Sequence, residues 1–389
     1  MMEQTTLDAL TAARELAPKL SARAREAEEL QTLPADLVEE ARRAGLFRLG
    51  TPRDLGGAEL PPATIVETVE ELSRADGSAG WTITIGNGTA FLAWLDPAAA
   101  AGLLDGRADV ISSAVFAPQG KLTPDGAGKF TLTGHWAFTS GSPHADLFFN
   151  GAFVTGEQGP RMLPGRGPDW RLAAFSAQDA KVIDNWDVSG LRGTGSHDVA
   201  VHDLPVPEEH TAAVFFEPAR HDGPLWRFPF FTLAGVFLVG FPLGVARRAL
   251  DEFTAFAPGK IRPPGPGPIA EDGDVQIALS RAEGRVQAAR AFVFDALGEL
   301  WDTAQRGDVP DTAQRARFLL AAQQAMRASV GAVNTTFGFA GAGALHSDHP
   351  MQRCFRDIHA AAQHIYFSPA ASKRYAKVRF GIEQPTFWF

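Results

Sequence analysis

Lys129-Phe130-Thr131-Leu132-Thr133-Gly134-His135-Trp136-Ala137-Phe138-Thr139-Ser140-Gly141 decides how this chain folds. Its Thr, Phe, Leu and Trp make a strand, and Gly141 ends it. Short β-prone runs at 110–116, 147–149 and 199–201 accompany it, broken by Gly, Pro and Asp. Spacing of this kind predicts a small antiparallel barrel or sandwich.

Helical patterning lies on both sides. Before the β-prone region, Leu10, Ala13, Leu16, Ala17 and Leu20, then Leu37, Val38, Ala41 and Leu46, recur at helical spacing. Helices are also expected at 65–74 and 81–95. After it, long segments at 229–256, 274–306, 310–340 and 349–380 predict a four-helix bundle. The Pro/Gly-rich stretch 258–273 is expected to be a mobile loop. The expected fold is therefore α+β and multidomain. An N-terminal helical domain spans 1–107, a middle antiparallel β-barrel 108–212, and a C-terminal helical bundle 213–389.

The chain has 389 residues, 45% hydrophobic and 21% charged, with net charge -9. Those values suit a soluble globular protein. The acidic balance and lack of a basic run argue against nucleic acid. One cysteine, Cys354, excludes a disulfide framework or a cysteine-rich metal site. The polar N-terminus lacks the apolar core of a signal peptide. The apolar stretch 228–246 is broken by prolines and glycines, so it reads as a buried helix and not a membrane span. The expected location is cytoplasmic.

Four places carry candidate chemistry. Thr139 and Ser140 end their strand and offer hydrogen bonds to a planar polar heterocycle, with Trp136 and Phe138 flanking its rings. The run 112–120, with Phe116, ends another strand and presents carbonyls and amides to such an edge. Three glycines surround Arg192, Thr194 and Ser196 in 186–198; glycine permits close approach to an anion, and arginine grips phosphate. This is not a dinucleotide fingerprint, because Gly-x-Gly-x-x-Gly and a βαβ unit are both missing. Gly341 and Gly343 allow a ligand or partner subunit to approach the link between the last two long helices. Finally, Arg356, Asp357, His359 and His364 lie on the expected last helix. At about 100° per residue, His359 and His364 point about 140° apart, so one of them serves a pocket, and geometry does not choose which. Neither belongs to a metal-ligand pattern.

Together these segments resemble the acyl-CoA dehydrogenase superfamily. The pieces are Ala75-Asp76-Gly77-Ser78-Ala79-Gly80-Trp81, 136–141, 190–196, and Pro350-Met351-Gln352-Arg353 running into Arg356-Asp357-Ile358-His359. They look most like the oxygenase component of two-component flavin-dependent monooxygenases. The resemblance implies reduced FMN or FAD delivered by a separate flavin reductase, reaction with oxygen at the flavin C4a, and transfer of oxygen to a small apolar or aromatic substrate. It also implies a homotetramer, built as a dimer of dimers. By position, Thr139 and Ser140 match the flavin N5 and O4 edge, with Ser140 slowing peroxide loss, and Arg192 and Ser196 a loop at its far side. Gly341 and Gly343 match the stretch that reaches a partner's flavin. His364 matches a histidine used as a base, with His359 next.

The alternative within the superfamily is an FAD-dependent acyl-CoA dehydrogenase. It fits less well, because no acid lies between Asp222 and Asp251 or between Asp357 and Glu383 to remove a proton beside a thioester. A binding protein without activity is the remaining alternative.

Overall fold

Asp76 ends one helix and starts the next. It is C-cap to α4 (Pro62–Ala75) and N-cap to α5 (Gly77–Ile85), and its carboxylate accepts the Ala79 N–H at 2.9 Å. Ahead of these helices come α1 (Met2–Ala22), α2 (Ala24–Leu30) and α3 (Ala35–Arg43); α6 (Pro97–Leu104) follows. The structure is a computed structural model that describes residues 2–262, 265 and 267–389.

The helix expected over 81–95 stops at Ile85, and a 3-10 segment, Gly88–Trp94, replaces its second half. Asn87 causes the break. Its amide donates to Leu46 O and Ile83 O, and its carbonyl accepts from Leu49 N. A side chain thus takes over backbone pairing that a helix would otherwise use.

The middle of the chain forms β1 (Ser112–Pro124), β2 (Lys129–Trp136), β3 (Leu147–Gly156), β4 (Gly159–Pro160), β5 (Met162–Leu163), β6 (Gly167–Pro168), β7 (Trp170–Ser176), β8 (Lys181–Ile183), β9 (Asp198–Pro207) and β10 (Thr211–Ala212). The main sheet runs β10-β7-β3-β1-β2-β9-β8, with β4 paired to β3. It differs from the expected all-antiparallel arrangement in one pair: β1 and β3 run parallel, with a register shift between Val115 and Gly120. Leu122, Phe130, Leu132, Phe148 and Val199 pack on one side as a core of their own. Trp136 joins them, fully buried, and donates its indole N–H to Gly151 O.

Three long helices follow: α7 (Phe230–Phe256), α8 (Gly273–Gln305) and α9 (Thr312–Ala340). The fourth segment, expected as one helix, is split into α10 (Pro350–Ala361) and α11 (Ala370–Arg379). Between them Tyr366 and Phe367 turn inward and are buried, and Pro369, which lacks a donor N–H, precedes α11. His349 caps α10 by accepting the Met351 N–H. In the Pro/Gly-rich stretch, short 3-10 turns at Ala257–Gly259 and Ile269–Glu271 and an Ile261–Pro268 bridge are formed; Pro263, Pro264 and Pro266 lie outside the described residues.

The helix α7 is long and apolar enough to cross a membrane, but 94% of that window is buried in the protein. It is the central core helix. Gly240 and Gly244 let it meet α4 closely: a Cβ would lie 2.4 Å from Val66 O at the first and 2.2 Å from Glu70 O at the second. Gly244→Ala should therefore destabilise the protein by about 1–3 kcal/mol, despite the better helix propensity of alanine. Urea unfolding measures this; a stabilised variant would contradict the close α4–α7 contact.

Candidate functional site

The end of β2 is tied to the loop before β9 by backbone hydrogen bonds. Thr139 N–H donates to His197 O and Gly141 N–H to Thr194 O, while Ser142 Oγ donates to Gly195 O. Phe138 enters this turn with φ of 63°, and it is 70% exposed. The turn leaves Thr139 fully buried, with its hydroxyl donating to Trp136 O. Both of its donors are therefore engaged within the protein.

Ser140 is different. Its hydroxyl lies 2.7 Å from Ser196 Oγ, which lies 2.6 Å from Thr194 Oγ1; Thr194 in turn donates to Leu191 O at 2.9 Å. Ser140 Oγ also accepts the Trp81 indole N–H at 3.1 Å. Three of the expected site residues are thus joined in one buried chain, with Trp81 at its head.

Trp81 also meets His364. The ring centroids are 5.6 Å apart and the planes 73° apart, an edge contact. His364 lies beyond the end of α10, so the argument from helical angles between the two histidines does not apply. It caps the next 3-10 turn, with Nδ1 accepting the Tyr366 N–H. Its neutral ring therefore carries the proton on Nε2. Burial lowers its pKa to about 4, although the residue keeps partial exposure. His359 takes another direction: its Nε2 is 2.8 Å from Asn334 Oδ1 and its ring packs on Phe355. The structure does not bring it to Trp81 or Ser140.

Other expected residues separate similarly. Trp136 is inside the sheet core, so its expected place beside a bound ring is corrected; no face of it is available. Phe116 packs edge-on against Phe91 and Phe230 in an aromatic cluster. Arg192 bends back to donate to Val188 O at 2.8 Å. Gly341, with φ of 70°, and Gly343 lie past the end of α9, in a 3-10 turn over Gly341–Leu345.

The glycines of 190–195 approach protein. A Cβ at Gly190 would lie 2.1 Å from Arg356 O, and one at Gly193 about as near Ser78 and Ala27 as contact allows, at 3.1 and 3.0 Å. Gly195, at φ of 55°, donates to Gln31 O. Next to Gly190, Leu191 N–H donates to Asp357 Oδ1 at 2.7 Å. Asp357 belongs to a buried group with Asp76, Glu28, Arg353 and Arg356; Arg356 lies 2.7 Å from Glu28 and Arg353 3.6 Å from Asp76. Burial first, then Asp76, pushes the Asp357 carboxyl up to about 7. Asp76 is raised for the same first reason, its burial.

The aromatic cluster extends the site. Phe230, Ala234, Phe237 and Phe241 share one face of α7 at i, i+4, i+7 and i+11. Phe241 touches Trp81, while Phe230 and Phe237 touch Phe91. Sequence reasoning assigned no role to Trp81, although it closes the 75–81 motif. A single tryptophan in an apolar run reads as core, and its partner is 59 residues away.

The sequence matches Acyl-CoA dehydrogenase, N-terminal domain, over residues 4–97 and Acyl-CoA dehydrogenase, C-terminal domain, over 236–369. It is 30% identical to an indole-3-acetate monooxygenase of Pseudomonas putida over 94% of this chain and 91% of that protein. The chain belongs to the flavin-dependent monooxygenases of the acyl-CoA dehydrogenase superfamily. A further relative in this branch, the oxygenase subunit HsaA of Rhodococcus jostii, is 28% identical over 94% of this chain and 97% of its own. The monooxygenase fold is shared with the crystal structure of a 3-HSA hydroxylase from Rhodococcus, at a TM-score of 0.89, 26% identity and 98% coverage of both chains.

Two partly exposed histidines give this monooxygenase a pH signature. His144, against Thr32, is also lowered to about 4 by burial. Each histidine binds a proton more readily when unfolded, so its contribution is complete above about pH 6.5 and is lost as pH falls towards 4. Each steepens the acid loss by at most about 1.4 kcal/mol per pH unit. Asp357 acts with the opposite sign. The measurement is therefore the difference in melting temperature between wild type and His144→Asn or His364→Asn from pH 7.5 to 4.5. Each substitution should flatten the acid decline; parallel curves would refute the lowered values.

Proposed function

We propose that this protein is the oxygenase component of a two-component system that hydroxylates a flat aromatic substrate, with Ser140 and His364 at the reacting edge. The observation that carries this reading is the placement of Trp81 between the two: its indole N–H is on Ser140 and its ring edge is on His364.

The donor set fits a flavin. Ser140, Trp81, Ser196 and the His364 imidazole are uncharged, and Ser140 Oγ retains an open acceptor position, as a ring N–H needs. Reduced FMN or FAD, supplied by a reductase, provides two electrons when bound, so that one atom of oxygen enters the substrate and the other leaves as water. Ser140 would hold the N5 edge of a bound flavin. His364 presents its Nε2–H to an oxygen atom of the reacting groups, since Nδ1 is occupied by Tyr366 N–H. The packed aromatic face of α7 keeps water away. A planar apolar substrate is in keeping with an indole-3-acetate monooxygenase among the relatives. We place the protein in the cytoplasm, as a homotetramer. Exposed Phe138, Leu345, Phe380 and Ile382 on the single chain support association.

Reduced flavin, oxygen and a panel of indoles and phenols should yield hydroxylated product, with hydrogen peroxide as the side product. His364→Ala should bind reduced flavin normally and lose about a hundredfold in product formation. Unchanged turnover would remove His364 from the mechanism. Bleaching of protein-bound oxidised flavin by an acyl-CoA without oxygen would instead favour dehydrogenation.

A further inference from the structure

We infer that Trp81 and Thr194 are positioning residues that, from opposite ends of one hydrogen-bonded chain, fix Ser140 as an acceptor. The inference rests on the reading above that Ser140 meets the flavin edge.

The chain has four links: Trp81 to Ser140 at 3.1 Å, Ser140 to Ser196 at 2.7 Å, Ser196 to Thr194 at 2.6 Å, and Thr194 to Leu191 O at 2.9 Å. Four hydrogens are available to fill them: one on the indole and one on each hydroxyl. An indole N–H only donates and a carbonyl only accepts. With both ends fixed, there is one way to fill four links. Thr194 donates to Leu191 O, Ser196 to Thr194, Ser140 to Ser196, and Trp81 to Ser140.

Ser140 therefore has its proton committed and one of its two lone pairs occupied. What remains for a ligand is one acceptor position. Its backbone is held as well: the carbonyl receives the Ser113 hydroxyl at 2.6 Å, and the N–H is turned to Phe138 O. A serine in this state can take a ligand N–H and cannot offer it a proton. Without the indole N–H, Ser140 Oγ loses the contact that holds it from the α5 side. Without the Thr194 hydroxyl, Ser196 is no longer obliged to donate away from Ser140, and the Ser140 proton can turn towards the site.

The ring and the donor of Trp81 are separable. Trp81→Phe keeps an aromatic ring against Phe241 and His364 while removing the N–H. Thr194→Val keeps the shape and removes the hydroxyl, and Thr194→Ser restores it. In flavin-free protein labelled with 15N at tryptophan, the Trp81 indole resonance, identified by its loss in Trp81→Phe, should be protected from solvent exchange. It should move upfield and exchange faster in Ser140→Ala. An unmoved resonance in Ser140→Ala overturns the inference, whatever reaction the protein performs.

With reduced flavin and a substrate that the wild type hydroxylates, Trp81→Phe and Thr194→Val should each yield about fivefold less product per flavin oxidised, with a matching rise in hydrogen peroxide. Thr194→Ser should behave as wild type. Unchanged product yield in both Trp81→Phe and Thr194→Val also overturns the inference. A wild type that consumes no reduced flavin overturns the proposed function instead, and the indole resonance still decides whether the chain exists.

Discussion

The hydrogen bond from Leu191 N–H to Asp357 Oδ1 joins the helical bundle to the sheet. Much else is positioned by it. Leu191 sits in the left-handed region at φ of 56°, an arrangement uncommon for a branched aliphatic residue and sustained by its surroundings. From Leu191 the chain passes directly into Thr194 and Ser196, and these hold Ser140. From Asp357 it passes along α10 to its end, where His364 begins the next turn. One buried contact therefore links the hydroxyl side and the imidazole side of the same site. The absence of a side chain at Gly190 is what allows the two elements to approach.

Charge is distributed in keeping with that role. Glu28, Asp76, Asp357, Arg353 and Arg356 are gathered behind the loop, where they pair with each other and with backbone. Buried ion pairs often add little net stability, because desolvation offsets their attraction. The groups proposed to face the ligand are uncharged. An imidazole with a pKa of about 4 remains neutral across the physiological range. His364 thus keeps one donor and one acceptor across that range.

The order of helices, sheet and helices was readable because each half carries a different period: 3.6 around Leu10 to Leu20 and near 2 around Lys129 to Trp136. Ser140 was readable as a hydroxyl at a strand end, and its link to Ser196 and Thr194 was not. Which of His359 and His364 lies against Trp81 was not. It depended on where α10 stops, and that is set by the inward turn of Tyr366 and Phe367 and by Pro369, which an Ala-rich pattern conceals. Trp136 and Phe138 looked equivalent in sequence, yet the turn at Phe138 sends one into the core and the other to the surface. The glycines of 190–195 suggested an anion because close approach has the same sequence signature whether the neighbour is a phosphate or another helix.

The chain from Trp81 to Leu191 O has a further consequence for proton traffic. A line of hydroxyls conducts protons by reversing every bond in turn, and that requires a second arrangement of equal standing. Here the head can only give and the tail can only receive, so the second arrangement does not exist. Despite its resemblance to a proton wire, this row is an insulator.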